Sequence, residues 1–216
     1  KYPFTSVTTK DLEEASSIIR IDKSFYKQKL GITEQRIVLT VGRFSNGTAH
    51  RKGYDVLMDV AAKIGPSIGF YFVGEDPTDE FTQWKISHNL TNVHFVGFKT
   101  KRELAEYYAA ADIFVLLTRE DIWGLVINEA MAYGLPIITT NTCIAGLELV
   151  KPGSNGYLVS FENQPEIIES ILSILQDGNL TDSFKEYSLK KIQNYTISEM
   201  SKKHLEIFKM LSNHTL

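Results

Sequence analysis

Cysteine is almost absent from this chain: Cys143 stands alone among 216 residues. One thiol cannot close an intramolecular disulfide, and no cluster of cysteines exists to ligate zinc. Cys143 itself reads as a small buried side chain. The opening Lys1-Tyr2-Pro3-Phe4 has no signal-peptide core, so the sequence agrees with a reducing compartment. Long apolar runs are missing as well, and none approaches the ~20 residues a membrane span needs. Nor is there an excess of one charge: 23 basic and 26 acidic residues leave a net charge of -3. That excludes a surface built for nucleic acid. An anionic ligand must then be met by a few placed cations, not by the overall field.

Three motifs for handling phosphate are also lacking. Gly42 and Gly47 have the spacing of a Walker loop, but Thr48 stands where lysine is required. No G-x-G-x-x-G follows a strand, which argues against a dinucleotide oxidoreductase. No D-x-D triplet occurs, which removes the usual metal clamp for a nucleoside diphosphate. No metal or cofactor is therefore expected, and a diphosphate would be neutralised by arginine, lysine and helix N-termini. Five N-x-T triplets, at Asn46, Asn89, Asn179, Asn194 and Asn213, read as chance in a sequence rich in these residues. Glycan acceptors are the alternative in a secreted protein.

What is present suits one large α/β domain: 43% hydrophobic and 23% charged residues can bury a core. Apolar runs predict strands over 36–42, 68–74, 93–97, 112–117 and 136–140, with a sixth at 156–159. Helices are predicted between them over 53–64, 78–88 and 124–133. Another opens on the capping box of Thr100 and Glu103 and runs through 111. The remainder, 163–214, reads as helical with breaks near Gly178 and Tyr195. This alternation implies a Rossmann-like parallel sheet with helices on both faces. Residues 1–34 read as a connector from a missing N-terminal domain, extended at first, then helical over 22–30 and stopped by Gly31. Residues 35–216 form the domain. The opening without an initiator Met reads as a fragment excised from a longer protein.

Ligands of open parallel sheets bind beyond the carboxyl ends of the strands, and the unusual residues of this sequence follow its strands. Gly42, Arg43, Lys52 and Gly53 follow the first. Gly74-Glu75-Asp76, then Gly97-Phe98, follow the second and third. Arg119 to Gly124 follow the fourth, and Thr140-Asn141-Thr142 the fifth. Arginine grips phosphate with two parallel hydrogen bonds, while lysine acts as a point charge. Past Gly124, the run 125–133 has only Asn128 and Glu129 as strongly polar residues. A carboxylate there is costly unless satisfied, and a ribose diol donating two hydroxyls would satisfy it. The helix start offers free amides to a phosphate, with Gly124 allowing close approach. Asp121 precedes Glu129 by eight residues, in the loop capping the same helix, so both can face one ligand. The alternative makes Arg43 and Lys52 solvated cations, Asp121 a plain N-terminal charge, and Glu129 the partner of a structural cation.

Two stretches resemble the group 1 glycosyltransferases, the glycogen-synthase-like retaining enzymes of GT-B architecture. One is Val41-Gly42-Arg43-Phe44 followed by Lys52-Gly53. The other runs Glu120-Asp121-Ile122-Trp123-Gly124-Leu125-Val126-Ile127-Asn128-Glu129-Ala130-Met131-Ala132, then Gly134 and Pro136. The second is long and gapless, and it falls on the predicted strand–loop–helix. Weaker support comes from Gly97-Phe98, Ala145-Gly146-Leu147-Glu148 and Gly153-x-x-Gly156, so the resemblance spans about residues 31–212.

In that family two half-molecules face each other across a cleft. The C-terminal half holds the nucleotide sugar and the N-terminal half the acceptor; this chain resembles the C-terminal half. The resemblance implies that Arg43 and Lys52, beside Gly42, contact the diphosphate. Amides near Gly124 and Leu125 add to that contact, with Trp123 and Val126 alongside. It implies that Glu129 binds the ribose and that the backbone at Gly97 and Phe98 meets the base. Asp121 would touch hydroxyls of the transferred sugar, which makes Asp121, Arg43 and Lys52 the catalytic set. The family has glutamate at that acidic position, and Glu120 offers a rival register. The loop 43–52 is longer than the family pattern and is expected to be mobile without ligand.

The implied function is donor binding in a retaining, metal-independent hexosyltransferase of polysaccharide biosynthesis. The substrate is a nucleoside-diphosphate sugar of UDP or GDP type. The partners are an N-terminal acceptor-binding domain and an acceptor glycan or lipid-linked glycan. No histidine is placed as a general base, and the chain alone is expected to be inactive. A cytoplasmic location is expected, with the inner membrane face as an alternative for the longer protein. A nucleotide-sugar epimerase of the same architecture and a non-catalytic nucleotide-binding or interaction module remain rival readings.

Overall fold

The computed structural model describes residues 4–45 and 47–213. Its sheet has six strands: β1 (Arg36–Gly42), β2 (Ile68–Gly74), β3 (Val93–Gly97), β4 (Ile113–Leu116), β5 (Ile137–Thr140) and β6 (Gly156–Val159). All pair in parallel, in the order β3-β2-β1-β4-β5-β6. This is the doubly wound Rossmann order, whose strand order reverses between β1 and β4. The carboxyl ends of those two strands therefore flank the crevice where a ligand is expected.

The strands are buried on both faces, because side chains alternate across a pleated sheet. Ile37, Leu39 and Val41 of β1 enter one core, while Val38 enters the other. The Val38 side is covered by α4 (Tyr54–Ile64), α5 (Asp79–Ser87) and α9 (Gln164–Gln176). The opposite side is covered by α1 (Thr9–Ile18), α2 (Lys23–Lys29), α6 (Lys101–Ala110), α7 (Leu125–Ala132) and α8 (Ile144–Leu149). A further helix, α10 (Gly178–Ile192), gives Phe184 to one core and Ile192 to the other. The short α3 (Thr48–Arg51) sits in the loop after β1, and the last helix, α11 (Ile197–Asn213), has a largely exposed surface. Each fully buried Phe, Leu or Ile contributes about 1.5–3 kcal/mol.

The structure differs from the sequence reading near the start of the chain. Residues 9–18, expected as part of an extended connector, form α1. The helix opens on a capping box, with Thr8 Oγ1 accepting from the Asp11 amide at 3.0 Å and Asp11 Oδ2 accepting from the Thr8 amide at 2.8 Å. Leu12 and Ala15 are buried beneath it, and Val7, Tyr26 and Ile32 join the same core. Residues 4–34 are thus packed onto the sheet's helical layer. Asn46 and the side chain of Asn213 lie outside the described residues.

Asp112 ties α2 to the sheet. Its carboxylate is 3% exposed, accepts from the Ile37 amide at 2.8 Å, and meets Lys23 at 2.8 Å, Lys27 at 3.3 Å and Arg36 at 3.4 Å. Burial alone would raise its pKa, but Lys23, Lys27 and the amide outweigh burial and hold it below the usual range. Burial pushes the Lys27 ammonium down, and the Asp112 carboxylate counters that in part. A carboxyl depressed below its unfolded value of about 3.9 adds stability above that value, lost as pH falls through the folded value. Asp112→Asn is expected to cost about 3 kcal/mol at neutral pH. It should also remove part of the acid-induced fall in melting temperature. Thermal melts of both proteins between about pH 7 and pH 3 check the two effects.

Candidate functional site

The crevice is built from two loops locked together. Gly53 has φ +70°, and a Cβ there would lie 2.0 Å from the Leu117 carbonyl oxygen. Only glycine permits this approach, which carries Lys52 across to the end of β4. The Arg119 amide donates to the Arg51 carbonyl at 2.8 Å. The Arg119 guanidinium grips both Asp55 oxygens at 2.8 and 2.7 Å, a bidentate geometry that fixes position as well as charge. The Thr118 hydroxyl lies 2.9 Å from the Arg51 carbonyl and 2.8 Å from that of Glu120.

Within this frame Lys52 Nζ donates to Asp121 Oδ2. Both side chains are only 16% exposed, which sets this pair apart from a loose surface ion pair. Asp121 Oδ1 also accepts from the Trp123 amide at 3.2 Å. Gly124 follows in the left-handed region at φ +94°, and no side chain caps α7. Its first amides are therefore free for an acceptor beyond the strand ends.

Glu129 lies one turn into the same helix, half-buried. Its carboxylate accepts from the Tyr108 hydroxyl at 3.1 Å. Burial holds the carboxyl above the ordinary carboxylate range, and Tyr108, Lys101 and Ser6 counter burial only in part. A ligand bringing hydroxyl donors would relieve that cost.

The remaining residues singled out in the sequence form the rim. Arg43 is exposed and lies near Glu75, whose carboxylate accepts from the Phe44 and Ser45 amides at 2.9 Å each. Those amides, the Ser45 bond foremost, hold Glu75 below its usual range, and Arg43 adds to this. Gly97 has φ +73°, with space for a Cβ closed by Asp76 at 2.8 Å. Phe98 is 76% exposed and Leu125 36%. Glu120 is exposed, whereas Asp121 meets Lys52. The structure thus joins Lys52, Asp121, Trp123 and Gly124 at one point, sets Glu129 farther along α7, and leaves Arg43 and Phe98 on the edge. The sequence reading missed Tyr108, which reaches Glu129 from α6, and gave Asn128 no role. No His, Cys, Asp and Glu cluster suited to a metal occurs among the described residues. No helix there is long and apolar enough to cross a membrane.

A Rossmann-like sheet with cations and an uncapped helix at its switch point defines an α/β domain of the GT-B glycosyltransferase type. The family model "Glycosyl transferases group 1" matches residues 22–191, and the chain belongs to that family. A Klebsiella pneumoniae relative, an uncharacterised 41.2 kDa protein of the cps region, is 31% identical over 176 residues, 80% of this chain and 46% of its own length. Among solved structures, sucrose-phosphate synthase from Thermosynechococcus elongatus superposes with TM-score 0.76 at 27% identity, covering 88% of this chain and 49% of that one. Anabaena HepE in complex with UDP-glucose gives TM-score 0.76 at 24% identity, covering 90% and 53%. The chain spans about half the length of the curated relatives it matches.

Proposed function

We propose that this chain is the donor-binding domain of a retaining hexosyltransferase and that its switch-point crevice holds a nucleoside-diphosphate sugar. The observation carrying this reading is the Lys52–Asp121 pair set beside the uncapped start of α7, with Glu129 on the same helix. A diphosphate entering there competes with Asp121 for the Lys52 ammonium and accepts from the amides of Leu125 and Val126. Arg43 closes from the rim. Asp121, released from Lys52, turns to hydroxyls of the sugar, and Glu129 takes the ribose diol. Cations and a helix N-terminus then stabilise the charge that grows on the departing diphosphate. HepE bound to UDP-glucose supports a UDP-type donor, and the base meets Gly97 and Phe98. Relatives about twice as long support an acceptor domain elsewhere in the protein. The whole enzyme then works in the cytoplasm on a glycan or lipid-linked glycan.

The test is calorimetric titration of the chain with UDP, GDP and ADP, with and without EDTA. One nucleotide should bind, and chelation should leave its affinity unchanged, because protein cations neutralise the phosphates. A strict requirement for magnesium or manganese would overturn the metal-independent reading.

A further inference from the structure

We infer that Asn128 is a positioning residue for the diphosphate, acting through the indole of Trp123; this rests on the donor-site reading above. Asn128 is wholly buried in α7, and a buried amide must have both its ends satisfied. Its Oδ1 accepts from Trp123 Nε1 at 2.8 Å, and its Nδ2 donates to the Phe4 carbonyl at 3.3 Å. The orientation is unambiguous, since an indole only donates and a carbonyl only accepts.

Trp123 is the hinge of the turn that delivers the free amides of α7. Its amide bonds to Asp121 Oδ1 at 3.2 Å, and its carbonyl accepts from the Ala145 amide at 2.8 Å and from Cys143 Sγ at 3.2 Å. These contacts fix the backbone of the residue. The side chain is fixed by Asn128 and by Phe4, whose ring meets the indole edge-on at 5.3 Å. Asn128 therefore ties the Trp123 indole, and with it the turn before α7, to the body of the helix. Moving the indole shifts the Asp121 contact and the Leu125 and Val126 amides together, so binding at the phosphates depends on an amide that itself need not touch the ligand.

The test uses Asn128→Leu, Trp123→Phe and the double variant, titrated with whichever of UDP, GDP and ADP binds the wild type best. Loss of one such bond should weaken binding by about tenfold in each single variant. The double variant should lose no more than either single one, because both remove the same interaction. Trp84 and Trp123 are the two tryptophans of the chain, so in a Trp84→Phe background the emission reports Trp123 alone. Asn128→Leu should shift that emission to the blue, because the indole N–H loses its acceptor to an apolar side chain, which a merely structural role elsewhere would not do. Should Asn128→Leu not fold, Trp123→Phe carries the test, and wild-type affinity in it overturns the inference. Losses that add in the double variant, or unchanged affinity in Asn128→Leu, also overturn it. A wild-type chain that binds no nucleoside diphosphate overturns instead the donor-site reading, an outcome distinct from equal binding by wild type and variant.

Discussion

Lys52→Ala should lower kcat/KM for the donor by about 100-fold or more in the complete enzyme, as loss of a preorganised charge at a developing anion does. The ammonium is already aimed: Gly53 lets its loop press against Leu117, and Asp121 holds Nζ in place. Little rearrangement is needed when phosphate replaces the carboxylate, so the charge acts at nearly full strength. Bare nucleotide affinity should fall less, by about tenfold or more, the value of one charge-assisted bond. Asp121→Ala should act differently. It removes an anion beside the phosphate site, so bare UDP or GDP binds at least as well, while discrimination between attached sugars is lost. Steady-state kinetics and nucleotide titrations on both variants separate these effects. Equal losses of bare nucleotide affinity would contradict the division of labour between Lys52 and Asp121.

This chain should transfer no sugar by itself, falling below the complete protein by on the order of 1000-fold or more, because transfer depends on a held acceptor. The acceptor hydroxyl must lie about 3–3.5 Å from the anomeric carbon in a site that excludes water. Around the loop after β4 this chain presents exposed apolar side chains, with Ile122 at 89%, Ile144 at 46% and Leu147 at 53%. Such a rim leaves a bound sugar open to solvent on that side, so slow donor hydrolysis is the expected residual reaction. Incubation of chain and complete protein with labelled donor and an acceptor panel decides the matter. Comparable turnover by the chain would place an acceptor site within these residues.

The sheet was legible because its strands are short, mostly apolar runs, and β1, β2 and β3 end in glycine. The helix α7 was legible because Asn128 and Glu129 interrupt an otherwise apolar stretch. Less was visible where tertiary contact decides. The four-residue α3 depends on Arg119 and Thr118, more than sixty residues away. The helix α8 contains Gly146, a poor helix former; a Cβ there would come within 2.5 Å of Thr139, so packing retains the glycine. The partnership of Glu129 with Tyr108 spans 21 residues and two helices, and no local pattern announces it. By contrast α1 could have been read from Thr8 and Asp11, a capping box before Leu12 and Ala15. The run of polar residues around it hid the narrow buried stripe.

The most direct measurement is a titration of the wild-type chain and Glu129→Ala with UDP, GDP and ADP and their glucose conjugates. One nucleotide should saturate the wild type at a single site, and Glu129→Ala should weaken the bare nucleotide by about tenfold, as loss of an acceptor for ribose hydroxyls does. Failure of every nucleotide to bind, or unchanged binding in Glu129→Ala, would contradict the assignment of the switch-point crevice as the donor site.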